Sequence, residues 1–273
     1  YMEAEHSFGN WLEKSGRREE VVILSKCGHP DAMWNKRVNE KEMRKDLKKS
    51  LEELKTDYID IYMLHRDDPD TEVAVAVETF NAMHEEGNIG AFGASNWTHT
   101  RIEEANEYAY KHNLIPFSVS SPNFCLARQV EDPLGGGCVN ISGPENQEAR
   151  AWYEKNQMPV IAYASLGRGF FSGRMKSEYA DHAGDYLDSF AMTGYACSDN
   201  FERLRRCEII AEKHGVTVAQ IAMNWVFSHP LNIFAIASMS KADRMKANRE
   251  ALLLQLSDEE IAYLDLETPE FCG

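Results

Sequence analysis

The 273-residue sequence has no Cys-x-x-Cys pair, no His-Glu-x-x-His and no Lys/Arg-rich block. Each absence excludes something. The six cysteines (Cys27, Cys125, Cys138, Cys197, Cys207 and Cys272) are scattered, which indicates neither a disulfide framework nor a zinc site. The nine histidines show no close metal-ligating spacing, so no metal is expected. Cations are in deficit, 29 Lys and Arg against 44 Asp and Glu. The formal net charge of -15 argues against nucleic acid or an anionic membrane surface as a partner. No apolar run approaches the ~20 residues needed to span a bilayer, and no signal-peptide pattern opens the chain. A soluble, cytoplasmic protein is the expectation. The first residue is Tyr1 and not methionine, so a fragment or a processed form is expected.

What is present is a 43% hydrophobic chain, enough for a sizeable core, in which short apolar runs alternate with longer amphipathic stretches. Strands are expected at 21–26 ("VVILSK"), 58–64 ("YIDIYML"), 89–95 ("IGAFGAS"), 117–121 ("FSVSS"), 159–165 ("PVIAYAS") and 232–238 ("NIFAIAS"). Between them lie helical patterns. Asn39 is a candidate N-cap before a face of Met43, Leu47, Leu51 and Leu54. Gly87 and Gly215 stand at C-cap positions, and Thr217 can cap the helix that follows. The last long helix is expected over 241–256, and Ser257 with Glu260 forms a capping-box pattern beyond it. The runs lack clean period-two alternation, as in parallel strands covered on both faces. A barrel and a doubly wound open sheet both fit six βα units.

In a parallel βα barrel, chemistry sits at the carboxyl ends of the strands. Those ends carry a polar set: Lys26, His65, Ser95 with Asn96, Ser121, Tyr163 with Ser165, and Ser238 with Ser240. A lysine closing an apolar strand costs several kcal/mol if dry and unpaired, so it must snorkel or have a partner. His65 alone reads more readily as a satisfied buried histidine. "RDDPD" after it reads as a solvated turn, and "LGGGC" at 134–138, with no helix behind it, as a flexible loop. Trp34, Trp97 and Phe124 are loop residues that can wall a pocket or simply pack; Met223 and Trp225 are core.

With "VVILSK", "DYIDIYMLH", "EEGNIGAFGASNW", "PVIAYASLGRG" and "ADRMKANREALLLQLSDEEI" in this order, the chain resembles the aldo-keto reductase family over essentially its whole length. The resemblance implies a (β/α)₈ barrel in which residues 1–273 form a single domain. Six of the eight βα units are present, and the first two strands are expected to lie upstream. It also implies reduction of an aldehyde or ketone, a small-molecule carbonyl substrate, by a nicotinamide cofactor. That cofactor is usually NADPH, with NAD possible, and no metal takes part. The family's catalytic lysine maps to Lys26 and its histidine to His65; its tyrosine maps to Tyr1, and the partner aspartate would precede residue 1. In this scheme Tyr1 donates the proton, Lys26 tunes it and His65 orients the carbonyl.

For the cofactor, the resemblance assigns Ser95 and Asn96 to the nicotinamide carboxamide and Tyr163 to stacking on the ring. Ser165, Leu166, Gly167 and Arg168 offer backbone N–H groups for pyrophosphate. Arg244 and Asn248 match the adenosine end. Three positions depart from the family pattern: Ser121 stands for a glutamine, Ala164 for a serine, and Ser238 or Ser240 for a basic residue. An alternative reading is a cofactor-binding regulatory module of the same fold with little or no turnover. A third is an inactive fragment with unpaired sheet edges.

Overall fold

A computed structural model of the chain describes residues 2–238 and 241–269, with Met2 described by its backbone alone. The calls on Tyr1 and Ser240 fall outside the described residues. The chain groups into two compact units, Tyr1–Ser120 and Ser121–Gly273.

The first unit runs α1 (Met2–Ser15), β1 (Leu24–Cys27), α2 (Glu40–Leu54), β2 (Ile59–Leu64), α3 (Val73–Glu85), β3 (Ile89–Ser95), α4 (His99–Lys111) and most of β4 (Val119–Ser121). Strand order follows chain order. β1 pairs parallel with β2, setting Lys26 against Met63, and β2 pairs parallel with β3, setting Met63 against Gly93. Gly93 has a steric reason: a Cβ there would lie 1.9 Å from the Val119 carbonyl oxygen. One face of the strands sends Tyr62 and Phe92 against Phe80 of α3, and Phe117 closes that buried aromatic cluster. The alternation of a strand then turns Lys26 and Met63 to the other face.

β1 starts later than the apolar run. Ile23 gives its N–H to Asp60 Oδ2 at 2.8 Å, a carboxylate that also pairs with Arg18, while its carbonyl still accepts from the Ile61 N–H, so the ladder is only half made there. Asn39 caps α2 through Glu42 N–H as expected, with Met43, Leu47 and Leu54 buried. α1 lies on α2 because Gly9 admits the Glu53 carbonyl, which a Cβ would meet at 2.0 Å. Glu5 of α1 reaches under it, accepting hydrogen bonds from Ser25 and Ser50.

The second unit takes the end of β4, then α5 (Gln147–Asn156), β5 (Val160–Ala162), α6 (Ser189–Tyr195), α7 (Ser198–His214), α8 (Val218–Phe227), β6 (Ile233–Ala235), α9 (Ala242–Ala251) and α10 (Asp258–Leu264). Its strand order again follows the chain, and β5 pairs parallel with β6. β5 stops before its apolar run does because Ala164 adopts a left-handed φ of 53°, leaving Tyr163 as a single bridge to Asn123. Gly215 ends α7 at φ 65°, and Thr217 with Gln220 caps α8 in a capping box. Ser257 with Glu260 does the same for α10.

Two expectations need correction. α9 ends at Ala251 and not at 256, because the Asn224 amide donates to the carbonyls of Ala251 and Leu254 and captures the acceptors a continuing helix would use. Only the end of "RDDPD" is a solvated turn, with Pro69 and Asp70 exposed: Arg66 is buried, Asp67 lies 3.5 Å from the Arg101 guanidinium, and Asp68 pairs with Lys36 at 2.7 Å. Of the three loop aromatics, whose packing the sequence leaves open, Trp97 and Phe124 are buried at 1% and 0% exposure and Trp34 is exposed. The glycine-rich loop is pinned by Asp132, which accepts from the N–H groups of Leu134 and Cys138.

Candidate active site

Four of the expected site residues converge in the first unit. The parallel register carries the ends of β1, β2 and β3 to one rim, so Lys26, His65 and Ser95 become neighbours although the chain separates them widely. The Lys26 ammonium donates to Ser95 Oγ at 3.4 Å. Asn96, held at a left-handed φ of 59°, donates from Nδ2 to the His65 carbonyl at 3.0 Å and to Ser95 Oγ at 3.3 Å. The His65 N–H continues the strand ladder to the Cys27 carbonyl at 2.8 Å. Ser95 and Asn96 are buried, at 0% and 6% exposure.

Electrostatics at this rim are one-sided. Burial, then the Arg66 guanidinium, lowers Lys26 to about 8. Burial lowers His65 to about 3, and the charges of Lys26, His29 and Arg66 act in the same direction. At neutral pH the rim therefore presents an ammonium beside a neutral imidazole. Cys27, on the opposite face of β1, is buried, which pushes its thiol up and out of reach of thiolate chemistry.

Two groups here escaped the sequence reading. Arg66 looked like part of a charged turn. His29 lies three positions after Lys26, and its ring centroid stands 4.6 Å from that of His65, with the planes 56° apart. The available signal was position alone: both follow directly on strand ends, where loops meet the site.

The remaining expected residues belong to the second unit. Ser121 Oγ donates to the Ile161 carbonyl at 2.8 Å and ties β4 to β5, while Ser165 Oγ donates to the Ala162 carbonyl at 3.1 Å and closes the turn after β5. Tyr163 is half-buried at the β5 bridge to Asn123. In the 165–173 segment, the N–H groups of Gly167, Gly169, Phe170, Phe171 and Ser172 bond to carbonyls of the segment itself or of Ala164. Leu166 and Arg168 lie within this turn, Arg168 at φ 53°. Ser238 follows β6 and is exposed; Arg244 and Asn248 lie on α9, exposed and half-buried. A groove of about 740 Å³ lined by Arg18, Leu47, Lys55 and Glu86 contains none of these residues.

The aldo/keto reductase family profile matches residues 1–266. The chain belongs to the aldo/keto reductase family. Among similar curated proteins, protein tas of Escherichia coli (strain K12) is 28% identical over 282 residues, covering 94% of this chain and 77% of that protein. The aldo-keto reductase yakc [NADP(+)] of Schizosaccharomyces pombe is 28% identical over 262 residues, with 93% and 71% covered. An aryl-alcohol dehydrogenase of Pestalotiopsis microspora is 25% identical over 272 residues; 96% of this chain corresponds to 65% of that protein, less than two thirds of its length. A solved thermostable aldo-keto reductase in complex with the inhibitor epalrestat has the same fold, at a TM-score of 0.67 and 23% identity. That match covers 96% of this chain and 76% of the other. This family member is thus an α/β protein of parallel strands. Among its described residues no helix is long and apolar enough to cross a membrane.

Proposed function

We propose that the protein reduces an aldehyde or ketone with NADPH, Tyr1 giving the proton, Lys26 tuning it and His65 orienting the carbonyl. The observation that carries this reading is the convergence of Lys26, His65, Ser95 and Asn96 at one strand-end rim. When bound, the reduced nicotinamide supplies the hydride. The donor set at the rim fits its carboxamide. Asn96 and Ser95 bring a carboxamide and a hydroxyl to the rim, both of which can donate and accept hydrogen bonds as a carboxamide requires.

Negative charge grows on the carbonyl oxygen as reduction proceeds, and it needs both a donor and a proton. Lys26, even lowered to about 8, keeps its ammonium at neutral pH and favours the phenolate that Tyr1 leaves behind. His65 at about 3 stays neutral and can offer a ring N–H without adding another full charge to the rim. The 165–168 segment and Tyr163, Ser121, Ser238, Ser240, Arg244 and Asn248 are assigned to the cofactor. Arg244, as a bidentate phosphate partner, supports NADPH over NADH. The yakc relative carries NADP(+) in its name. Cys27, Cys125, Cys197 and Cys207 are thiols, in keeping with a reducing, cytoplasmic location.

The test follows reduced-nicotinamide absorbance with a panel of aliphatic and aryl aldehydes and ketones, for the wild type and for Tyr1→Phe. Turnover lost in Tyr1→Phe with cofactor affinity retained is the expected result. Turnover unchanged by that substitution sinks the assignment of Tyr1. Tight NADPH binding without turnover on any carbonyl leaves the regulatory-module reading standing instead.

A further inference from the structure

We propose that His29 is a positioning residue for the site: its ring, fixed by the loop after β1, holds the ring of His65 in place and keeps its donor face turned to the carbonyl. The inference rests on the carbonyl-reduction reading above and extends it to a residue outside the Tyr1, Lys26 and His65 set.

The geometry begins with the two rings, 4.6 Å apart and tilted by 56°. That spacing is packing contact between aromatic faces and edges. His29 is itself fixed. Its Nδ1 lies 2.7 Å from the Pro30 carbonyl, which can only accept, so Nδ1 carries the proton and the tautomer is set. Its backbone is clamped as well. The Arg37 guanidinium donates to the His29 carbonyl at 3.1 Å while also bonding both oxygens of Asp46 and one oxygen of Glu42. Asp46 in turn accepts the Gly28 N–H at 3.0 Å. Gly28 sits at φ 70°, and a Cβ there would meet Leu64 at 3.0 Å, so the chain turns sharply between Lys26 and His29. Lys36, farther along the same loop, pairs with Asp68 and Asp70 after β2 and ties the loop to the segment that carries His65.

A solvent-exposed histidine would ordinarily swing between rotamers at little cost. Here four side chains, Arg37, Asp46, Lys36 and Asp68, hold the loop that carries it. The groups facing His65 are Lys26 from β1, His29 from the β1–α2 loop and Arg66 from the segment after β2. All three oppose a proton on His65, and His29 is the one whose charge can be removed while its ring is kept.

Three variants separate packing from charge: His29→Phe keeps a ring, His29→Ala removes it, and Arg37→Met loosens the clamp. The expected result is a fall in kcat of about tenfold for His29→Ala, the scale on which lost orientation slows a reaction. KM is expected to change little, and most of the rate returns in His29→Phe. Arg37→Met, with Glu42 and Asp46 left in place, is expected to resemble His29→Ala. An independent readout is the His65 imidazole titration by side-chain NMR, which needs no substrate; it moves upward in both His29→Phe and His29→Ala. Wild-type kcat and an unmoved His65 titration in His29→Ala overturn the inference. Absence of carbonyl turnover in the wild type tells instead against the functional reading, and an unmoved His65 titration still overturns the contact between the two rings.

Discussion

The Lys26 ammonium and the Ser95 hydroxyl stand 3.4 Å apart, although 69 positions separate them in the chain. Ser95 is the described hydrogen-bond partner of Lys26, and it is a neutral one. A hydroxyl offsets only part of the cost of burying an ammonium, which is why burial and Arg66 together bring Lys26 down to about 8.

A stability gain follows for Lys26→Met. The folded state holds the Lys26 proton less tightly than the unfolded chain does, so its charge costs stability at neutral pH. Methionine keeps the stem and removes that cost. The variant is expected to be about 2 kcal/mol more stable at pH 7, after allowance for solvent screening, while losing carbonyl reduction. The gain is full below about pH 8 and shrinks as the pH rises toward 10.5, the ordinary lysine value. Urea unfolding at pH 7 and at pH 10 checks both the size and the sign.

Asn96 combines a left-handed backbone with two side-chain hydrogen bonds. Asn96→Ala loses both features and is expected to cost about 2 kcal/mol of stability. Asn96→Gly relieves the backbone strain and recovers about half of that loss. Thermal unfolding of the two variants side by side measures the split; equal losses would show that the backbone conformation contributes nothing.

Gly93→Ala places a methyl group 1.9 Å from the Val119 carbonyl oxygen, closer than any real contact. β3 and β4 must then separate, at an expected cost of about 3 kcal/mol or more. Because Ser95 closes β3, the Lys26 contact is expected to be disturbed too. Circular dichroism melts detect the first effect and the NADPH dissociation constant the second.

Acid sensitivity in the second unit traces partly to His229, which packs against Trp225 at 4.3 Å and Phe124 at 5.2 Å. Burial, then the charge of Arg150, lowers it to about 4. The unfolded chain takes up a proton near pH 6.5 that the folded chain refuses until about 4, so stability is lost as the pH falls through that window. His229→Phe keeps the ring packing and removes the proton. Its urea midpoint is expected to fall less than that of the wild type between pH 7.5 and pH 4.5. An equal fall assigns the acid sensitivity to other groups.

Much of the architecture was legible as sequence because it depends on local chemistry. Asn39, Gly215, Thr217 and Ser257 cap or end their helices as their side chains and backbone preferences require. β3 has its expected bounds, since "IGAFGAS" is a strand pattern with nothing nearby to interrupt it. Lys26 and His65 were visible as polar residues closing apolar runs.

The misreadings came where a distant side chain intervened. Asp60 takes the N–H that would extend β1 to Ile23, and Asn224 takes the carbonyls that would continue α9. Arg66 and Asp67 look solvated in a charged string, yet Arg66 is buried and Asp67 is half-buried beside Arg101. What the sequence by itself determined, then, was which segments become strands and helices and which residue types stand at the strand ends, because those depend on periodicity and on neighbours a few positions away. Only the tertiary structure decided that Lys26, Ser95, Asn96 and His65 share one rim, that His29 packs on His65, and which way each titratable group shifts. Distance and burial fix those properties, and both arise only when strands far apart in the chain are brought into register.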